Sequence, residues 1–122
     1  NLMLSGSYLG SILPANLAQN TLKFTHGGSM YGVTTGQVFG ANTTLSFPTQ
    51  VNEKSYAVPA PDCLLPTAGA YSTFVYTPGN YGAGIAYKGT DYRTFVLGFP
   101  FESIDNAQHR SRIMKAALDL FK

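Results

Sequence analysis

The sequence predicts an α/β domain with a mixed sheet: a parallel core strand near the start, an antiparallel hairpin near the end, and a C-terminal helix covering one face. Three observations predict this. Leu2-Met3-Leu4-Ser5 is a short apolar run ended by Gly6, the pattern of a parallel strand covered on both faces. Ala83-Gly84-Ile85-Ala86-Tyr87 and Tyr92-Arg93-Thr94-Phe95-Val96-Leu97-Gly98 are strand-like and separated by the tight turn Lys88-Gly89-Thr90-Asp91. Ile113, Met114, Ala117, Leu118 and Phe121 then recur at helical spacing, with Arg110, Arg112, Lys115 and Asp119 mostly elsewhere.

The other elements follow in order. Ser7 to Leu13 opens a short helix that Pro14 interrupts. Asn16 to Phe24 reads as a second helix, with Asn16 as N-cap and Gly27-Gly28 as its stop. From Ser29 to about Pro78 the pattern has period two. Met30 to Val33, Gly36 to Phe39 and Thr43 to Phe47 are candidate strands, the last closed by Pro48. Val51 to Pro66 is Pro-rich and reads as loop with short extended pieces. Tyr71 to Tyr76 is a strand, and Pro78-Gly79-Asn80 is a turn. Asp105 is positioned to cap the final helix, with Gln108 three residues on as in a capping box.

The chain has 122 residues, enough for one core and one domain. Charged residues make up 11% against the usual roughly 25%, and hydrophobic residues 44%, which argues against disorder and for a polar surface built largely from uncharged side chains. The net charge of +2 comes from scattered Lys and Arg with no aromatic-interleaved basic stripe, which argues against nucleic acid as a partner. No apolar run reaches the roughly 18 residues of a membrane span. Cys63 stands alone, so no internal disulfide forms. Asn1 in place of Met, with a strand starting at Leu2, leads us to expect a partial domain with sequence upstream. Low charge with abundant Tyr, Thr, Ser, Asn and Gly is the composition of exported bacterial surface proteins.

Two segments carry a family resemblance: Asn1 to Ser11, NLMLSGSYLGS, and Tyr92 to Phe121, YRTFVLGFPFESIDNAQHRSRIMKAALDLF. Together, over about a third of the residues, they resemble the elbow strand and the last strand-plus-helix of class I glutamine amidotransferase-like domains. More narrowly, they are similar to the C-terminal domains of large exported Bacteroidetes-type proteins, some of them labelled xanthan lyases. The resemblance implies the C-terminal part of a flavodoxin-like domain in a polysaccharide-related protein. In that family a turn after the first strand presents a Cys nucleophile, and the last strand leads into a Phe-His-Pro-Glu type segment. Here the turn is Ser5-Gly6-Ser7-Tyr8, without Cys, and the final segment is Phe99-Pro100-Phe101-Glu102. Glu102 falls on the Glu position, but Pro100 falls on the base position, and proline accepts no proton. The thiol and the base are absent and one carboxylate remains.

The candidate catalytic residues are therefore Ser7, as a replacement nucleophile, and Glu102. Each has a structural alternative: Ser7 as a helix N-cap, Glu102 as a carboxylate favoured beside the last helix's N-terminus. A hydrolase using them would need an imidazole within about 3 Å of the Ser7 hydroxyl. His26 and His109 are the available imidazoles, read as a loop residue and a solvated helix residue. Neither cofactor nor metal site is expected, because no second His stands at a ligand spacing. Cys63 reads as a small buried residue. Tyr71, Tyr76, Tyr81, Tyr87 and Tyr92 offer a second idea, a sugar-stacking surface on the strands, whose alternative is ordinary strand packing. The expected role is a non-catalytic structural or ligand-binding module. Its partners would be the upstream part of its parent protein, or a second copy, and carbohydrate.

Overall fold

The computed structural model describes residues 1–31, 57–77, 79–104 and 106–122, and the backbone of 35–38 and 43–46. Among these residues it forms a mixed six-stranded sheet in the order β1-β8-β7-β6-β3-β4, with a separate β2–β5 pair. The strands are β1 (Leu2–Ser5), β2 (Phe24–Ser29), β3 (Thr35–Val38), β4 (Thr43–Ser46), β5 (Asp62–Pro66), β6 (Ala70–Thr77), β7 (Tyr81–Lys88) and β8 (Arg93–Leu97). The helices are α1 (Leu9–Ile12), a π-helical segment (Leu17–Leu22) and α2 (Ala107–Phe121), with a 3-10 turn at Phe101–Ser103.

The parallel strand and the hairpin both form as expected. β1 pairs in parallel with β8, setting Met3 beside Phe95 and Leu4 beside Val96. β7 and β8 pair antiparallel from Lys88–Arg93 to Gly84–Leu97. Alternation along β8 then divides the core. Phe95 and Leu97 join Phe74, Tyr76, Phe99 and the α2 residues Ile113, Ala117 and Leu120 in one cluster. Val96 joins Ile85, Leu9, Leu22, Phe24 and Leu64 in the other. The molecule is thus three-layered: α2, the large sheet, then α1 with the π-helical segment and the β2–β5 pair. Both faces of β8 are covered, which is why its second half, Phe95-Val96-Leu97, is an unbroken apolar run, as in parallel sheets.

The structure departs from the sequence reading in several places. β1 ends the sheet, so it is only half-buried, and Leu2 is 47% exposed. The second helix stops at Lys23, which takes φ 67 and donates its N–H to the Ala18 carbonyl. A left-handed lysine ends it, without the glycine that the stop rule looks for. Phe24 to Ser29 consequently extend as β2, so Gly27-Gly28 is a strand irregularity and the strand ends where Met30 to Val33 was expected to begin. Asp62 to Pro66 is strand β5, although its prolines suggested loop; Pro66 sits at the strand's end, where a missing N–H is tolerated. On α2 the buried stripe is Ile113, Ala117 and Leu120, while Leu118 is 53% exposed. Asn106 caps α2, accepting the N–H groups of Gln108 and His109 at 2.9 and 3.1 Å. Asp105, Phe47, Pro48, Phe39, Gly32, Val33, Pro78 and residues 51–56 lie outside the described residues. No helix among the described residues is long and apolar enough to cross a membrane.

Candidate functional site

Parallel pairing sends β1 and β8 in the same direction, so the segments that follow them meet at one rim. Gly6 N donates to Leu97 O at 3.3 Å, and Phe101 N donates to Ser5 Oγ at 3.3 Å. The turn holding Ser7 and the turn holding Glu102 are therefore adjoining structures at the carboxyl ends of the strands, where open α/β sheets bind ligands.

The elbow runs from Gly6 to Gly10. Its left-handed residue is Tyr8, at φ 63 and ψ 11, which is the N-cap position of α1. A bulky residue in this region is strained, and such residues cluster at functional sites. Ser7 is not the cap: α1 begins with no side-chain cap bond. Tyr8 O instead accepts the Ser11 hydroxyl at 2.9 Å. Glu102 is an exposed residue of the 3-10 turn. Among the described residues, no imidazole hydrogen-bonds to the Ser7 hydroxyl. His109 lies on α2, partly exposed, and its backbone N–H is held by Asn106. Pro100 precedes the turn in extended conformation.

His26 does reach the rim, through an arrangement that the loop reading missed. In β2–β5, His26 stands opposite Leu64, and the register then slips so that Ser29 stands opposite Asp62. His26 and Asp62 are diagonal neighbours on one face, within reach of each other. Gly28, at φ 108, provides the backbone freedom the bulge requires. His26 Nε2 lies 3.4 Å from Asp62 Oδ1, and neither atom has a hydrogen-bond partner. Asp62 Oδ2 accepts the Gly10 N–H at 3.0 Å, and Asp62 N donates to Gly98 O at 2.7 Å. The buried carboxylate is thereby fixed between the elbow and the end of β8. Gly10 is required at its position: a Cβ there would lie 2.3 Å from His26 Cδ2. The sequence signal was His-Gly-Gly beside period-two neighbours, a bulge pattern.

Around Asp62 the chemistry is quiet. Tyr76, fully buried, donates its hydroxyl to Asp62 O at 2.8 Å, and burial pushes its phenol far above the ordinary range. Burial likewise raises the Cys63 thiol, so it is not a reactive thiolate. Among the described residues, no group of three or more His, Cys, Asp or Glu gathers where it could hold a metal ion.

The tyrosines separate. Tyr71 and Tyr81 are about half exposed, at 50% and 52%, and Tyr76 is buried. Tyr87 and Tyr92 pack with centroids 5.0 Å apart but tilted by 46°, beneath Lys23 and tied to Asn20 O through the Tyr92 hydroxyl. An open groove of about 820 Å³ lies elsewhere, along α2, lined by Phe101, Met114, Leu118 and Phe121 among others. Compared with protein-family models, curated proteins and solved structures, the chain matches none.

Proposed function

We propose that the chain is a non-catalytic, amidotransferase-like module, flavodoxin-like in origin, belonging to a larger exported, polysaccharide-related bacterial protein in which it binds a ligand or supports its neighbours. The observation that carries this reading is the chemistry of the rim. A strand–turn–helix elbow is present, but its left-handed position holds Tyr8, and among the described residues no imidazole hydrogen-bonds to Ser7. Pro100 stands where the family places its base. A hydroxyl without a base is a poor nucleophile at neutral pH. The half-buried β1, with one edge unpaired among the described residues, supports attachment to an upstream part of the parent or to a second copy. The exposed rings of Tyr71 and Tyr81 favour carbohydrate as a ligand class.

The test is chemical. The protein is incubated with a fluorophosphonate, which labels activated serines, and with glutamine in an ammonia-release assay. The expected result is no adduct on Ser7 and no ammonia above a heat-treated control. A Ser7 adduct that is lost in Ser7→Ala would establish the hydrolase alternative instead.

A further inference from the structure

The His26–Asp62 pair is built into the rim, yet the proposed function does not use it. A buried carboxylate is stable only when its oxygens are satisfied. Oδ2 has the Gly10 N–H, whereas Oδ1 has no hydrogen-bond partner among the described residues and lies 3.4 Å from His26 Nε2. The proton of a neutral His26 therefore belongs on Nε2, which leaves the lone pair on Nδ1. Nε2 is buried and Cδ2 lies against Gly10, while the side chain as a whole is 26% exposed. The Nδ1–Cε1 edge is left to meet solvent. Tyr8, 45% exposed, is the N-cap residue of the same short helix, two residues before Gly10. The nearby carboxylate disfavours anions.

We propose that His26, held by Asp62, is the hydrogen-bond acceptor of a ligand site at the β1–β8 rim, and that the site takes an uncharged, hydroxyl-bearing ligand of the oligosaccharide class. The choice of ligand class rests on the ligand-binding reading above; the orientation of His26 does not.

Long-range ¹H–¹⁵N spectra of the imidazoles, recorded at about pH 8, report which nitrogen is protonated. His109→Gln assigns the two signals. Hexasaccharides of glucose, xylose and mannose are then added, with a galacturonic acid hexamer as the anionic control. The expected result is His26 with its proton on Nε2. At least one neutral hexamer should shift Nδ1 and slow acylation of His26 by diethyl pyrocarbonate severalfold, and the anionic hexamer should do neither. His26→Phe should weaken binding roughly five- to tenfold, the size of one lost hydrogen bond. The protection measurement on the unaltered protein decides the matter if that variant does not fold. A proton on Nδ1 overturns the proposal. Shifts confined to Tyr71 and Tyr81 also overturn it, while leaving the ligand-binding module intact. No response to any neutral hexamer removes this site and the carbohydrate reading together.

Discussion

Asp62 concentrates the consequences of this fold in one side chain. Its carboxylate reaches α1 through Gly10 and faces β2 through His26, and its backbone is tied to Gly98 and Tyr76. Asp62→Ala would leave the part-buried Gly10 N–H without its acceptor and His26 without its partner. We expect a loss of about 1–3 kcal/mol in urea unfolding, the usual cost of orphaned buried polar groups. Asp62→Asn keeps the shape and one acceptor, and should lose less. His-Gly-Gly hints at a bulge but reads as loop, and nothing in the local sequence pairs His26 with Asp62. Only the bulge, which brings His26 diagonal to Asp62, gives the pair meaning. The same holds for Tyr8 and Lys23, which are left-handed beside the buried Leu9 and Phe24 and carry no glycine signal.

Among the elements, α2 forms where its helical period placed it, but Asn106 is its cap where Asp105 was expected, and Leu118 of the expected apolar face is exposed. Asn106→Ala removes the acceptor of two helix N–H groups and should cost about 1 kcal/mol, read as a lower midpoint in thermal or urea unfolding. The last turn offers a pH test. Hydrogen bonds from Lys115, then Lys122, hold the exposed Asp119 carboxyl near pKa about 2, below its ordinary 3.8. A depressed carboxylate contributes stability above its unfolded value and loses it as pH falls. The contribution should be present above pH 3.8 and fade toward pH 2. Solvent and salt screen it, so its effect on unfolding should be slight. A ¹³C titration of the Asp119 carboxyl should show the low midpoint, and Lys115→Met should raise it. β1, β6, the β7–β8 hairpin and α2 were legible because each carries a local signal: an apolar run, a strand-like segment, a tight turn or a helical period. β2 and β5 were not, because glycine and proline signals masked strands that tertiary pairing stabilises.

For the whole molecule, the three layers are joined at β8, whose alternate residues feed both cores. Phe99 continues the α2-side cluster just past that strand, 5.0 Å from Phe74 and 6.4 Å from Tyr76 between ring centroids. Phe99→Ala should cost about 3–5 kcal/mol, the range for emptying a packed aromatic site. It should also loosen the Pro100–Ser103 turn, which would show as faster amide exchange at Ser103 and Ile104. The rim was partly legible: the sequence joined the first turn to the last through an expected shared sheet. It did not show that a third segment, carrying Asp62, would lie between them. Long-range pairing of that kind has no local signature.

The rim exists because β1 lies parallel to β8. A ¹⁵N-edited NOE spectrum, combined with amide exchange, tests that directly. The pairing predicts cross-strand contacts linking Met3 with Phe95 and Leu4 with Val96, and slow exchange of the Gly6 amide that donates to Leu97. Absent contacts between the two strands, with Gly6 exchanging at the rate of an open loop, would contradict it and dissolve the rim.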